Sequence, residues 1–440
     1  MSTASADEGL KRVVGVPGLT LSIVNGVIGA GIFALPAIVS IALGAFGIFG
    51  YIFCSLLLAS IMLCYAEIGS RVTSSGGSYA YVENAFGNFP GFIINCLYFF
   101  GWGILGSAAV MNIIADSLAI LFPFFLNPLL RGLFFFILIG FMVLINIRGT
   151  KQAIGFVKLL TILKLLPLLG IIIFGFARVK AGNLHWQNIP SLKTFTDTSL
   201  ILFFAFAGFE TSLGVSGELK NPKRTVPLGI FLGGAIVLIV YILLQIITQG
   251  ILGAEITAYK EAPLAAVAEQ IVGPIGITIL LFTTAISCIG GVSADVMATP
   301  RSLFACANDG MFPKFLGKVH PTFATPHWAI ITYGALLFIF SISGGFKQLA
   351  ILASAAILLI YLAVILATIK LRKDKQTAAE KTFQTPGGLL VPFIGIAAIT
   401  WLLTSLNKWE ILSTIIFIGI ICLIYFAMKW MKIKKVKAAI

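Results

Sequence analysis

The sequence predicts an all-α polytopic membrane protein of twelve transmembrane helices, and three observations predict it. Of 440 residues, 59% are hydrophobic and only 10% charged, with a mean hydropathy of +1.05. A soluble globule averages about 45–50% apolar and about 25% charged residues, so the solvent of this chain is lipid. The apolar residues run continuously instead of alternating over about ten residues, which disfavours a membrane barrel. Charged or Pro/Gly-rich breaks cut these runs into twelve, and at about 20 residues per span twelve helices use most of the apolar content. This composition excludes a secreted disulfide scaffold, a soluble dinucleotide-binding enzyme and a disordered regulator.

The spans are predicted at 17–40, 44–69, 91–120, 130–147, 152–177, 197–217, 227–252, 274–299, 327–344, 347–370, 388–406 and 410–430. The polar start MSTASADEGLKRVVGV leads straight into a full-length span, so no cleavable signal peptide is expected. Arg71 closes span 2, Arg148 and Lys151 separate spans 4 and 5, and Lys220, Lys223 and Arg224 separate spans 6 and 7. The resulting organisation is a cytoplasmic segment 1–16, a first helical unit 17–177, a second 197–370, two accessory helices 388–430 and a basic tail 431–440. With the N-terminus inside, the inner segments carry 21 of the 30 Lys and Arg residues, the outer segments seven, and Lys158 and Lys164 fall within span 5. That bias places both termini in the cytoplasm. The net charge of +14 therefore reports topology, not nucleic acid.

Two connections are long. Arg301–Pro326 begins as an amphipathic stretch suited to the membrane surface. Leu252–Pro274 carries Glu255, Glu261 and Glu269 and has room for a short helix over an external vestibule. The six cysteines lack metal-ligand spacing and read as packing residues, and His185, His320 and His327 read as loop or span-edge residues.

Span 1 contains Asn25-Gly26-Val27-Ile28-Gly29-Ala30-Gly31-Ile32-Phe33. Three glycines in six residues cost roughly 1 kcal/mol each relative to alanine in a regular helix, so the helix is expected to open. Bare amides and carbonyls are excluded from hydrocarbon unless they face a polar ligand or water. The amides of Ala30, Gly31 and Ile32 then form a carboxylate site at the start of a half-helix. The competing reading is close helix packing through small residues. Span 6 carries Gly208, Glu210, Thr211 and Ser212 inside an apolar run. Discontinuous segments at matching places in two halves point to an inverted-repeat transporter with its substrate between them, and spans 1 and 6 are five apart.

At these residues the chain resembles the amino acid, polyamine and organocation superfamily of secondary transporters, especially bacterial amino acid permeases. The matching pieces are GVIGAGIFALP in span 1, GGSYAYVENAFG before span 3, FAFAGFE and ELKNPKRTVP around span 6, and RSLFACANDGMFP after span 8. The resemblance implies a leucine-transporter-like five-plus-five inverted repeat with two accessory helices, in the inner membrane of a bacterium. It implies a substrate carboxylate on the amides near Val27, Ala30, Gly31 and Ile32, an ammonium on carbonyls near Phe204, Ala205 and Ala207, and Phe204 as outer gate. Trp102, Gly106 and Ser107 in span 3 and Ser354 and Tyr361 in span 10 lie near pocket-lining positions of such relatives.

An ionisable group at membrane depth costs about 2.5–3.5 kcal/mol on insertion scales and is a functional candidate. By resemblance, Lys164 occupies the place where sodium-coupled relatives hold a sodium ion. A fixed ammonium there makes transport sodium-independent, and one that releases its proton as access alternates couples it to protons; Ser287 and Ser293 are candidate partners. Asp295 departs from the pattern of many relatives; it would favour a cationic side chain, pair with Lys164 or carry a proton. Glu210 follows the span-6 break as cap or proton-linked group, and Glu67 pairs with Arg71 at i,i+4.

No GxxxxGK[ST] loop and no metal-ligating cluster occurs, so neither ATP drive, a cofactor nor an enzymatic role is expected. The expected function is alternating-access carriage of amino acids as monomer or homodimer, by proton symport or exchange, with a possible bias toward cationic substrates. A polyamine or organocation carrier keeps Asp295 but has no use for the carboxylate nest. A non-transporting sensor of the same fold is the alternative from another class.

Overall fold

The computed structural model describes residues 15–72, 77–148, 150–186, 188–213, 219–308, 312–323, 325–372 and 383–437, with the backbone alone at 150–162, 305 and 430–437. Most of the predicted cytoplasmic N-terminal segment, the Lys158 side chain and the side chains of the basic tail lie outside what is described. Every regular element among the described residues is helical.

Among the described residues, eight stretches are long and apolar enough to cross a membrane: 31–71, 88–121, 128–148, 192–213, 222–259, 274–308, 346–372 and 408–429. Shorter apolar helices occupy Val16–Val27, Pro263–Val272, His327–Ser343 and Leu390–Leu403. The 31–71 stretch is 41 residues long, about 60 Å as one helix, twice the hydrocarbon thickness. Gly44, at φ +57°, divides it. Only glycine takes that conformation freely, so the chain turns there into two helices. The chain is thus a multi-pass, all-helical membrane protein.

The first half comprises α1 (Val16–Val27), α2 (Gly31–Leu43), α3 (Gly47–Arg71), α4 (Ser78–Phe86), α5 (Asn88–Cys96), α6 (Leu105–Leu121), α7 (Pro128–Arg148) and α8 (Thr150–Gly175). Between α5 and α6 the chain continues as a π-helical segment, Leu97–Ile104, a wide turn frequent at functional sites. The second half comprises α9 (Leu192–Phe203), α10 (Pro222–Leu252), α11 (Pro263–Val272), α12 (Pro274–Ala298), α13 (Pro300–Asn308), α14 (His327–Ser343) and α15 (Phe346–Arg372). Two further helices follow, α16 (Leu390–Leu403) and α17 (Lys408–Lys437). The short helix in the Leu252–Pro274 connection is α11, whose Leu264–Ala268 face is buried against its neighbours.

Packing places α1 against α10, α8 against α12, and α15 against both α6 and the π-helical segment. Small residues allow the closest of these approaches. A Cβ on Gly229 or Gly233 of α10 would sit 2.7 Å from Leu19 or Ile23 of α1. Substitution there forces the two helices apart, and with them the break that ends α1.

Candidate functional site

Span 1 is discontinuous: α1 stops at Val27 and α2 begins at Gly31. Ile28 donates to Val24 and Gly29 to Val27, after which the regular ladder lapses. Among the described residues the amides of Ala30, Gly31 and Ile32 have no recorded acceptor. They are the first donors of α2, the positive end of its dipole.

The carbonyl side of the break is capped. The Lys164 ammonium, 3% exposed on α8, donates to the carbonyls of Asn25 at 2.9 Å and Ile28 at 2.7 Å. In an unbroken helix those oxygens would accept from Gly29 and Ile32. Lys164 therefore takes the acceptors that would close the helix, and it leaves the Ile32 amide bare. Among the described residues no carboxylate forms an ion pair with it, and no hydrogen bond joins it to Ser287 or Ser293, both buried on α12.

Span 6 breaks opposite. α9 ends at Phe203, a 3-10 turn covers Phe204–Phe206, Ala207 is extended, and Gly208 has φ +119°. Glu210 accepts from the Gly208 amide at 3.0 Å and from the Tyr361 hydroxyl at 2.5 Å. Thr211 donates to the Gly208 carbonyl at 2.6 Å. No acceptance is recorded for the Ala207 carbonyl among the described residues.

The two breaks touch through backbone. A Cβ on Gly31 would lie 2.6 Å from the Ala205 Cβ, and one on Gly208 would lie 2.5 Å from the Gly26 oxygen. The Tyr241 hydroxyl of α10 lies 2.8 Å from both the Val27 and the Ala205 carbonyl oxygens. Ser22 and Ser212 share a 2.9 Å hydroxyl contact. Sequence reasoning passed over Tyr241, although a lone phenol in VLIVYILL at membrane depth needs a polar partner and so signals one.

The aromatic wall assembles beside them. Phe204, 6% exposed, meets Trp102 at a ring distance of 5.6 Å and Phe346 at 5.8 Å. Gly106 stands against Trp102 and Ala353 with ordinary clearance for a methyl group. One residue on, Ser107 donates to Asp295 at 2.9 Å and contacts the Tyr333 hydroxyl, which donates to the Gly103 carbonyl at 2.8 Å. Among the described residues Asp295 has no cationic partner. Ser354 is fully buried with no recorded partner for its hydroxyl. Tyr333 is the second residue that sequence reasoning passed over: as a lone phenol in IITYGALL it carries the same signal, but its partners are set only by the tertiary approach of α14.

Glu67 lies away from this centre, at the end of α3. It accepts from Arg71 at 2.8 Å, from Arg372 at 2.7 Å with a second contact, and from the Thr385 amide at 2.9 Å. The sequence showed the local pair and not the link to α15.

The chain is similar to the serine/threonine exchanger SteT of Bacillus subtilis (strain 168), 29% identical over 442 residues covering 96% of this chain and 98% of the relative. It is similar to the methylthioribose transporter of the same organism, 28% identical over 454 residues covering 97% and 95%. It is also similar to the cadaverine/lysine antiporter of Escherichia coli (strain K12), 27% identical over 313 residues covering 70% of each chain. These relatives are transporters, not enzymes. The profile of one family, described as amino acid permease, matches residues 14–429, and the chain belongs to that family.

Proposed function

We propose that this chain is a secondary transporter that carries amino acids across the cytoplasmic membrane by alternating access, without sodium. Twelve spans form it, the first split into α1 and α2, with spans 1–5 and 6–10 as inverted repeats and α16 and α17 as accessory helices. Both termini face the cytoplasm, following the excess of Lys and Arg on that side. The observation that carries the proposal is the opened turn at Ile28–Ala30, whose downstream amides lack acceptors at membrane depth and press against a second break. Bare donors there call for an anionic ligand.

The substrate carboxylate rests on the amides of Ala30, Gly31 and Ile32, and its ammonium meets the Ala207 carbonyl and its neighbours. Phe204 and Trp102 close over the side chain. Lys164 supplies, as an ammonium, the positive charge that the carbonyls of the split helix require. Asp295 needs either a proton or a cation, because an unpaired buried carboxylate is costly. A cationic substrate side chain supplies the second, and a similar protein that carries lysine is consistent with it. Protons enter as coupling ion if Asp295 or Lys164 changes protonation during the cycle.

The test is uptake of labelled amino acids into proteoliposomes, with and without a pH gradient and with sodium replaced by choline, for wild type, Lys164→Ala and Asp295→Asn. Sodium replacement should change nothing, Lys164→Ala should abolish transport or its pH dependence, and Asp295→Asn should weaken cationic substrates selectively. Unchanged uptake by Lys164→Ala at every pH refutes the role of the lysine. Equal effects of Asp295→Asn on neutral and cationic substrates refute that specificity role. Competition by amines without an α-carboxylate, equal to that of amino acids, would favour an organocation carrier instead.

A further inference from the structure

At the end of the bundle that the Lys/Arg bias assigns to the exterior, a polar chain joins α7, α6 and α14. Arg131, near the start of α7, donates to the Asp116 carboxylate at 2.6 Å, to the Asn112 side-chain oxygen at 2.6 Å and to the Asn112 carbonyl at 3.3 Å. A cation at the start of a helix meets the positive end of its dipole, so these acceptors offset a charge that α7 alone disfavours. Asn112 itself is 3% exposed on α6. With its oxygen held by Arg131, its amide nitrogen faces away and donates to the carbonyls of Ser341 at 3.2 Å and Gly344 at 3.1 Å, as well as to Ala108 in its own helix.

Those two carbonyls end α14. The Gly344 amide makes no capping bond among the described residues, so the helix is closed from a neighbouring helix instead. Past that cap only Gly345 precedes Phe346, the first residue of α15, whose ring stands 5.8 Å from that of Phe204. A Gly-Gly turn has little stiffness of its own, so the bonds from Asn112 set its position. We propose that Asn112, oriented by Arg131, is the latch of the outer gate. While it holds the Ser341 and Gly344 carbonyls, the turn keeps Phe346 against Phe204, and releasing them lets both rings move outward. Asn112 and Arg131 are positioning residues, since they act through Phe346, and the proposal rests on the reading of Phe204 as outer gate.

The experiment follows a reporter cysteine, Gly106→Cys, beside Trp102 at a position where a Cβ makes only ordinary contacts. Its labelling by a membrane-impermeant maleimide is measured on the full-length protein in right-side-out and inside-out vesicles, with the protein lacking the reporter as blank. Asn112→Leu should raise the outside rate about tenfold, the weight of two ordinary hydrogen bonds in an opening equilibrium, without raising the inside rate. Arg131→Gln should move the outside rate in the same direction. An unchanged outside rate in either variant overturns the latch, and so does an equal rise on both sides, which marks a merely weakened fold. Phe204→Ala tests the gate separately: a rise there without one in Asn112→Leu overturns the latch and leaves the gate standing, and a flat rate removes the gate and the latch with it. Phe346→Ala should match Asn112→Leu and carries the test if that variant fails to fold; an unchanged outside rate in Phe346→Ala also overturns the proposal.

Discussion

Replacing Lys164 by methionine keeps an unbranched apolar stem, one atom shorter, and deletes the three donors. The carbonyls of Asn25 and Ile28 then lose their 2.9 and 2.7 Å partners in a buried region. An unsatisfied buried carbonyl costs about 1–3 kcal/mol, so two cost about 2–6 kcal/mol. The chain has one cheap escape: the Ile28 carbonyl takes back the Ile32 amide and the Asn25 carbonyl takes back that of Gly29, restoring the i to i+4 ladder. That closure consumes an amide on which the proposed carboxylate site depends. Even the lower figure corresponds to about 30-fold in an equilibrium, so substrate affinity should fall by at least that factor. Equilibrium binding of the best labelled substrate to the purified protein measures it, with a melting curve to establish that the variant is folded. Lys164→Arg, which keeps the charge, should lie between the two. A folded Lys164→Met with affinity within threefold of wild type would refute the claim that this lysine holds the helix open.

Three further outcomes follow from the same contacts. Gly208→Ala puts a Cβ 2.5 Å from the Gly26 oxygen at φ +119° and should lower thermal stability by about 1–3 kcal/mol or more, whereas Gly29→Ala, whose Cβ meets nothing nearer than 3.8 Å, should be nearly silent; equal melting curves sink the close-approach argument. Tyr241→Phe removes a hydroxyl shared by two carbonyls, of which that of Val27 keeps the Gly29 amide. Its effect on binding should therefore be smaller than that of Lys164→Met, and the reverse order would show that Tyr241 is the principal support. Glu67→Gln leaves the guanidinium groups of Arg71 and Arg372 without their shared carboxylate, which is wholly buried, and should cost about 3–5 kcal/mol in the unfolding transition. A loss no larger than that of an exposed pair such as Lys193–Asp197 would show the cluster to be well solvated.

Much of this was legible in the sequence because hydrocarbon is an exacting solvent. Continuous apolar runs fix helices, and glycines that are expensive in such runs mark where a helix stops, as at Gly26–Gly31 and Gly208. Membrane depth likewise singles out Lys164, Glu210 and Asp295, since each must meet a partner. The partners themselves were not legible. Lys164 meets two carbonyls and neither of the serines considered for it, because backbone oxygens carry no sequence mark. Tyr241, Tyr333 and Arg372 reach their acceptors across sequence separations of 36 to 305 residues, and only the packing of α10, α14 and α15 sets those distances.

The charges around the breaks follow a rule of sign. A helix ends in carbonyls and begins in amides, so an interrupted helix exposes a negative end and then a positive one. The negative end of α1 receives a cation, Lys164, and the bare Gly208 amide after the second break receives an acceptor, the Glu210 carboxyl oxygen. Tyr241 serves carbonyls of both segments and ties their spacing together. Subtracting these fixed partners leaves the amides of Ala30 to Ile32 on one strand and the Ala207 carbonyl on the other, opposite in partial charge and brought together by the Gly31–Ala205 contact. A ligand with one carboxylate and one ammonium matches both ends at once, whereas an amine alone leaves three buried amides bare, which is why the carrier reading favours amino acids over polyamines.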